Sequence, residues 1–148
     1  MHLCYYSSKP VAGPGMTWVL TIPDEEAKIL CLWFNSSLHL AQILYQRVED
    51  VWLDVHKYIL ENMLVLNPRI INENEKRKLL TLFNEICNEP FPCLKEQFTH
   101  EFEVRKKIDK VILNTLGFNE QESEILTSQL FEAIKEHYEM LELLTKKS

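Results

Sequence analysis

Tyr5, Tyr6, Ser7, Ser8 and Lys9 stand in one unbroken run, placing two phenols, two hydroxyls and an ammonium within five positions. Such a set suits contact with nucleic acid. Hydroxyls and lysines grip phosphate oxygens, while side chains that enter a groove read base edges. Arg47 is a further candidate for a phosphate contact. The plainer readings are an ordinary polar turn for the run and, for Arg47, a cation that favours a helix C-terminus. Arg105 and Asp109 are four apart, the spacing at which opposite charges meet on the side of a helix. An exposed pair of that kind contributes about 0.5 kcal/mol or less.

Residue types that carry catalysis do not assemble into a pattern. There is no Gly-rich phosphate loop, no nucleophile elbow and no His-Glu-x-x-His run. His2, His39, His56, His100 and His137 share no metal-ligand spacing, and Cys4, Cys31, Cys87 and Cys93 form no Cys-x-x-Cys pair. Acidic pairs such as Glu25-Glu26 sit where a helix begins, and the field of the helix end accounts for them. The expectation is a chain with no catalytic residues, no metal and no cofactor of its own. With no secretory signal and no apolar run long enough to span a bilayer, it is expected in the cytoplasm, free of the membrane, with its cysteines reduced and packed as small hydrophobes.

Composition sets the elements that must position these residues. A length of 148 residues suits one domain, or one with an appended helical piece, and 46% hydrophobic residues argue against bulk disorder. Only 3 Gly and 6 Pro argue against a turn-rich all-β fold, so helix should dominate. A net charge of −6 disfavours a free-standing, non-specific nucleic-acid binder. Residues 1–70 hold 5 Lys and Arg against 7 Asp and Glu, whereas residues 71–148 hold 11 against 15, so the second stretch is the more densely charged.

Residues 2–8 and 16–22 are rich in aromatic and β-branched types and flank Gly13-Pro14-Gly15, which predicts two strands around a turn. After Pro23 a helix should start, capped by Asp24. Ala27, Leu30, Cys31, Phe34, Leu38, Ala41 and Tyr45 form its stripe, which Asn35-Ser36-Ser37 interrupts. Residues 48–68 read as strand, one helical turn and strand. A helix capped by Asn72 or Asn74 follows, then one from Leu94 to Leu116 closed by Gly117, and a last one opened by Asn119 and Glu122 as a capping box. The predicted class is α+β, mainly α: a small mixed α/β unit over 1–70 and about three helices over 71–148.

The stretch from Ala27 to Leu44 resembles a segment in the C-terminal parts of adenine-specific DNA methyltransferases of restriction-modification systems, through Lys28, Leu30, Trp33, Asn35 and Ser36 on a helix that follows a strand bearing Trp18. Val51 to Pro68 is similar to the strand–short helix–strand that closes their target-recognition domain, and Arg105, Ile108 and Asp109 with Leu116-Gly117 resemble their helical ending. The Asn-Pro-Pro-aromatic motif and the Gly-containing cofactor strand of those enzymes are absent. The resemblance implies a non-catalytic target-recognition and docking segment. Its partners would be double-stranded DNA, met through Tyr5 to Lys9 and Arg47, and a methyltransferase catalytic domain or subunit. Asn35 would hydrogen-bond nearby backbone. The alternative is a helical interaction module that forms a homodimer through Leu130 and Ile134 without binding DNA.

Overall fold

In a computed structural model of the chain, the described residues are 4–9, 11, 19–45 and 61–145. Through them run α1 (Asp24–Phe34), α2 (Ser37–Tyr45), α3 (Glu73–Ile86), α4 (Leu94–Thr99), α5 (Glu103–Thr115) and α6 (Glu120–Thr145). Residues 61 and 62 are helical as well. No strand occurs among the described residues, which overturns the α+β expectation: their architecture is all helical. No helix among them is long and apolar enough to cross a membrane.

The failure of the predicted strands has a local cause. A strand exists only where a neighbour satisfies its backbone N–H and C=O groups. Here a helix side chain does that work. The Asn35 carboxamide accepts from Cys4 N at 3.1 Å and donates to Cys4 O at 2.8 Å. The Gln42 carboxamide likewise accepts from Leu64 N at 2.9 Å and donates to Leu64 O at 3.1 Å. Each amide stands in for one rung of a ladder. Residues 4–9 and 64–66 therefore meet helix side chains in place of a neighbouring strand, and residues 19–22 are not in a strand either. The strand predicted near Val51 to Val55, with Trp18 and Arg47, lies outside the described residues.

The helix predicted across Ala27 to Tyr45 is two helices. Pro23, not Asp24, occupies the N-cap of α1, and Asp24 lies in the first turn, where it pairs with Lys28 at 2.7 Å. The chain breaks at Asn35 and restarts at Ser37. Ser36 caps the restart: its Oγ accepts from His39 N at 3.1 Å and donates to Trp33 O at 2.7 Å.

Later signals are read more directly. Asn72 Oδ1 accepts from Asn74 N and Glu75 N at the start of α3. Asn119 and Glu122 exchange the two 2.9 Å bonds of a capping box. Gly117 adopts φ 102°, and bonds from Phe118 N to Leu113 O and from Gly117 N to Asn114 O close α5 in a Schellman motif. The single helix predicted from Leu94 to Leu116 is divided into α4 and α5, with Glu101 at φ 51° between them.

Two apolar clusters hold the helices. The first joins Ile29, Leu32 and Trp33 of α1 to Leu66, to Leu79 and Phe83 of α3, and to Ile108 and Ile112 of α5. The second joins Leu40 of α2 to Leu94 and Phe98 of α4 and to Phe131 and Ile134 of α6. Side chains from both sides of residue 70 thus share the first cluster. Ile134 is buried in the second cluster and Leu130 is half-buried.

Candidate functional site

The sequence singled out two groups of residues, and the structure treats them differently. On the N-terminal segment, Tyr5, Ser7, Ser8 and Lys9 are exposed. Ser7 Oγ is engaged by its own turn, donating to Lys9 O at 2.8 Å and accepting from Lys9 N at 3.2 Å. Tyr6 does not belong with them. Its ring stands edge-on to Phe83, with centroids 5.3 Å apart, beneath the Lys28 ammonium at 5.5 Å, and its hydroxyl donates to Asp24. Tyr6 is thus the anchor of this segment rather than a free contact.

The second group converges on the break between α1 and α2. Asn35 and Ser36 end one helix and begin the next, and Asp109 reaches the same place from α5. Its Oδ1 accepts from Ser37 N at 2.7 Å, capping α2 from 72 positions away in the chain. A carboxylate at a helix N-terminus is favoured by the helix field. Asp109 and Arg105 do not form the exposed ion pair that their spacing suggested: they are 0% and 1% exposed, and each bonds to a different residue. Arg105 Nε donates to Gln97 Oε1 of α4 at 2.6 Å, and the guanidinium lies 5.3 Å from the Phe98 ring centre. Through these two separate bonds Asp109 and Arg105 tie α2, α4 and α5 together around the joint.

The electrostatics follow from the burial. Loss of water pushes the Asp109 carboxyl up to about 6, although the Ser37 hydrogen bond and the Arg105 charge oppose the rise. Burial likewise pulls the Arg105 guanidinium down to about 10, against the attraction of Asp109 and Tyr138. The second oxygen of Asp109, Oδ2, and the Trp33 indole nitrogen are buried with no hydrogen-bond partner among the described residues. A carboxyl so placed can hold a proton near pH 6. The arrangement fixes a bend.

Among the other singled-out residues, Lys28 pairs with Asp24, Trp33 lies in the first apolar cluster and Gly117 closes α5. Gln97, whose amide Nε2 also donates to Pro92 O at 2.7 Å, and the buried Ser123 and Thr127 were not anticipated. The available signal was the polar triplet inside an apolar stripe together with a carboxylate–guanidinium pair at i,i+4. Sequence alone does not say that these meet. No group of three or more His, Cys, Asp or Glu side chains among the described residues is arranged to hold a metal ion. Compared with models of protein families, with curated proteins and with solved structures, the chain matches none.

Proposed function

We propose that this chain is a helical docking module that self-associates through the last turns of α6. One observation carries the reading. α6 runs for 26 residues, about 39 Å, and Tyr138 is the last of its described side chains to pack against the body. Beyond it Met140 is 59% and Leu143 is 62% exposed, three positions apart and so on one face. In the sequence this pair lies between acidic Glu136 and Glu139 on one side and basic Lys146 and Lys147 on the other. Antiparallel pairing of two copies turns that order into mutual attraction and sets Met140 against Leu143 in a self-complementary contact.

The methyltransferase-like reading, a DNA-recognition and docking segment, keeps one supporting feature, the exposed Tyr5, Ser7, Ser8 and Lys9. Weighing against it, Lys28, Arg69, Lys76, Lys78, Lys106 and Lys110 are each paired with a carboxylate of this chain. Phosphate would have to displace those partners.

Sedimentation velocity of the full chain tests the proposal. The expected result is a dimer that becomes monomeric in the double variant Met140→Asp with Leu143→Asp, with an unchanged circular dichroism spectrum. A monomeric parent chain, or a double variant that still dimerises, overturns it. Anisotropy titration of a labelled duplex at about 50 and 200 mM salt separates the readings, since phosphate contacts weaken steeply with salt. Saturable, salt-sensitive binding by a chain that stays monomeric would move the assignment to DNA.

A further inference from the structure

We propose that Cys4 and Cys31 form a hydroperoxide-reactive thiol pair, in which Cys4 is the attacking sulfur, Cys31 resolves it, and the resulting disulfide staples the N-terminal segment to α1. The geometry that carries this is the clamp around Cys4. Asn35 fixes its N–H and its C=O together, and the same Nδ2 lies 3.6 Å from Cys31 Sγ. Cys31 Sγ in turn donates to Cys4 O at 3.6 Å. The two cysteines, 27 positions apart in the chain, are thereby held side by side with both thiols reduced, and each keeps partial access to solvent.

The two sulfurs are unequal. The neighbouring Cys31 thiol favours the Cys4 thiolate and lowers the Cys4 pKa, against the opposing effect of burial. The same contact and burial push the Cys31 thiol up, so it keeps its proton. A sulfur that holds its negative charge more readily is the better nucleophile at a given pH, and a protonated neighbour is positioned to follow.

The chemistry closes without a further reagent. The Cys4 thiolate attacks one oxygen of hydrogen peroxide and the O–O bond breaks. Sulfur is oxidised to the sulfenic acid, and the other oxygen leaves as hydroxide and takes a proton to become water. Cys31 then releases its proton and its sulfur attacks the Cys4 sulfur. The S–S bond forms, the S–O bond breaks and a second water leaves. Two thiols and one peroxide have become one disulfide and two waters.

The consequence is structural. Tyr6, two residues on, seats the segment against Phe83 and Asp24 through non-covalent contacts alone. A Cys4–Cys31 bond makes that attachment permanent and closes a loop in the unfolded chain. The other cysteines serve as internal controls. Cys87 is the exposed one, and Cys93 stands at the N-cap of α4. Reactivity set by exposure alone would select Cys87.

The test uses the reduced full-length chain, treated with hydrogen peroxide, quenched by alkylation and mapped by peptide mass. The expected first product is a Cys4–Cys31 cross-linked peptide with Cys87 and Cys93 still alkylated, and about tenfold slower hydrogen exchange over residues 4–9. In Cys31→Ser the Cys4 sulfenic acid persists and is trapped by dimedone, whereas Cys4→Ser yields no trapped Cys31. Oxidation of Cys87 ahead of Cys4, or equal trapping at Cys4 and Cys31 in the two variants, overturns the proposal. Mapping of the unsubstituted chain decides the matter even if either Ser variant fails to fold.

Discussion

The joint between α1 and α2 and the end of α6 reverse the usual placement of residue types. At the joint, Asn35, Ser36, Ser37, Arg105 and Asp109 are buried, while at the helix end Met140 and Leu143 face water. A buried polar group is costly unless it is bonded, so a cluster of them survives only where it fixes something that apolar packing alone leaves free. Here it fixes the angle at which one helix ends and the next begins. Exposed apolar side chains carry no such directional demand. Grouped on one helix face, they leave apolar area in water that a partner could cover. The first region specifies the fold and the second is where the proposed self-association would act, so perturbing each should give a different kind of result.

The largest effect is expected at Asp109. Replacing it with Ala removes the cap on Ser37 N and leaves Arg105 buried without its counter-charge. Leaving a buried backbone N–H unmet beside a buried cation typically costs about 3 kcal/mol. Urea denaturation should show a loss of that size, and a loss below about 1 kcal/mol would mean that the joint is held by packing instead.

Next in size is the pH dependence. The Asp109 carboxyl titrates at about 6 in the fold against an ordinary value of 3.8. A carboxyl whose folded pKa is raised binds its proton more tightly in the fold. Its contribution to stability is therefore full below about pH 4 and is lost as pH rises through 6. A gap of about two units corresponds to roughly 3 kcal/mol. Glu73 and Glu101, held below the usual carboxylate range by Lys76 and Lys106, act in the opposite direction, so the readout is a difference. Between pH 4 and 6.5 the parent chain should lose stability relative to Asp109→Asn. Parallel stability curves for the two proteins would show that the carboxyl does not titrate there.

What the sequence made legible follows from how local each signal is. The caps at Asn72, at Asn119 with Glu122 and at Gly117 depend on residues within five positions, and they stand as read. The Asn35-Ser36-Ser37 triplet announced a conflict at the right place, and Asn35 does bond backbone, including Cys31 O at 3.0 Å. Its partner Asp109 lies 72 positions away, beyond the reach of spacing arguments. The error over fold class has the same origin. Apolar and aromatic runs suited to a sheet also suit a segment laid over helices. The choice between them rested on whether a second strand or a side-chain amide met the backbone, and the composition of residues 4–9 and 64–66 does not encode that choice.

Those two amides provide a finer comparison. Asn35 and Gln42 make the same pair of bonds, one to Cys4 and one to Leu64, but the Asn35 bonds are partly buried and those of Gln42 are exposed. Asn35→Ala leaves the Cys4 N–H and C=O in a half-dry site and should cost about 2 kcal/mol, because an unmet polar group away from water bears its desolvation penalty. It should also release Tyr6 from Phe83, visible as faster hydrogen exchange over residues 4–9. Gln42→Ala exposes the Leu64 groups to water, which replaces the lost bonds, and the expected cost is only about 0.5 kcal/mol. Equal costs for the two substitutions would show that the amides act through packing rather than through hydrogen bonds. The predicted fourfold ratio instead makes solvent access the quantity that decides how much a substitute for a strand neighbour contributes.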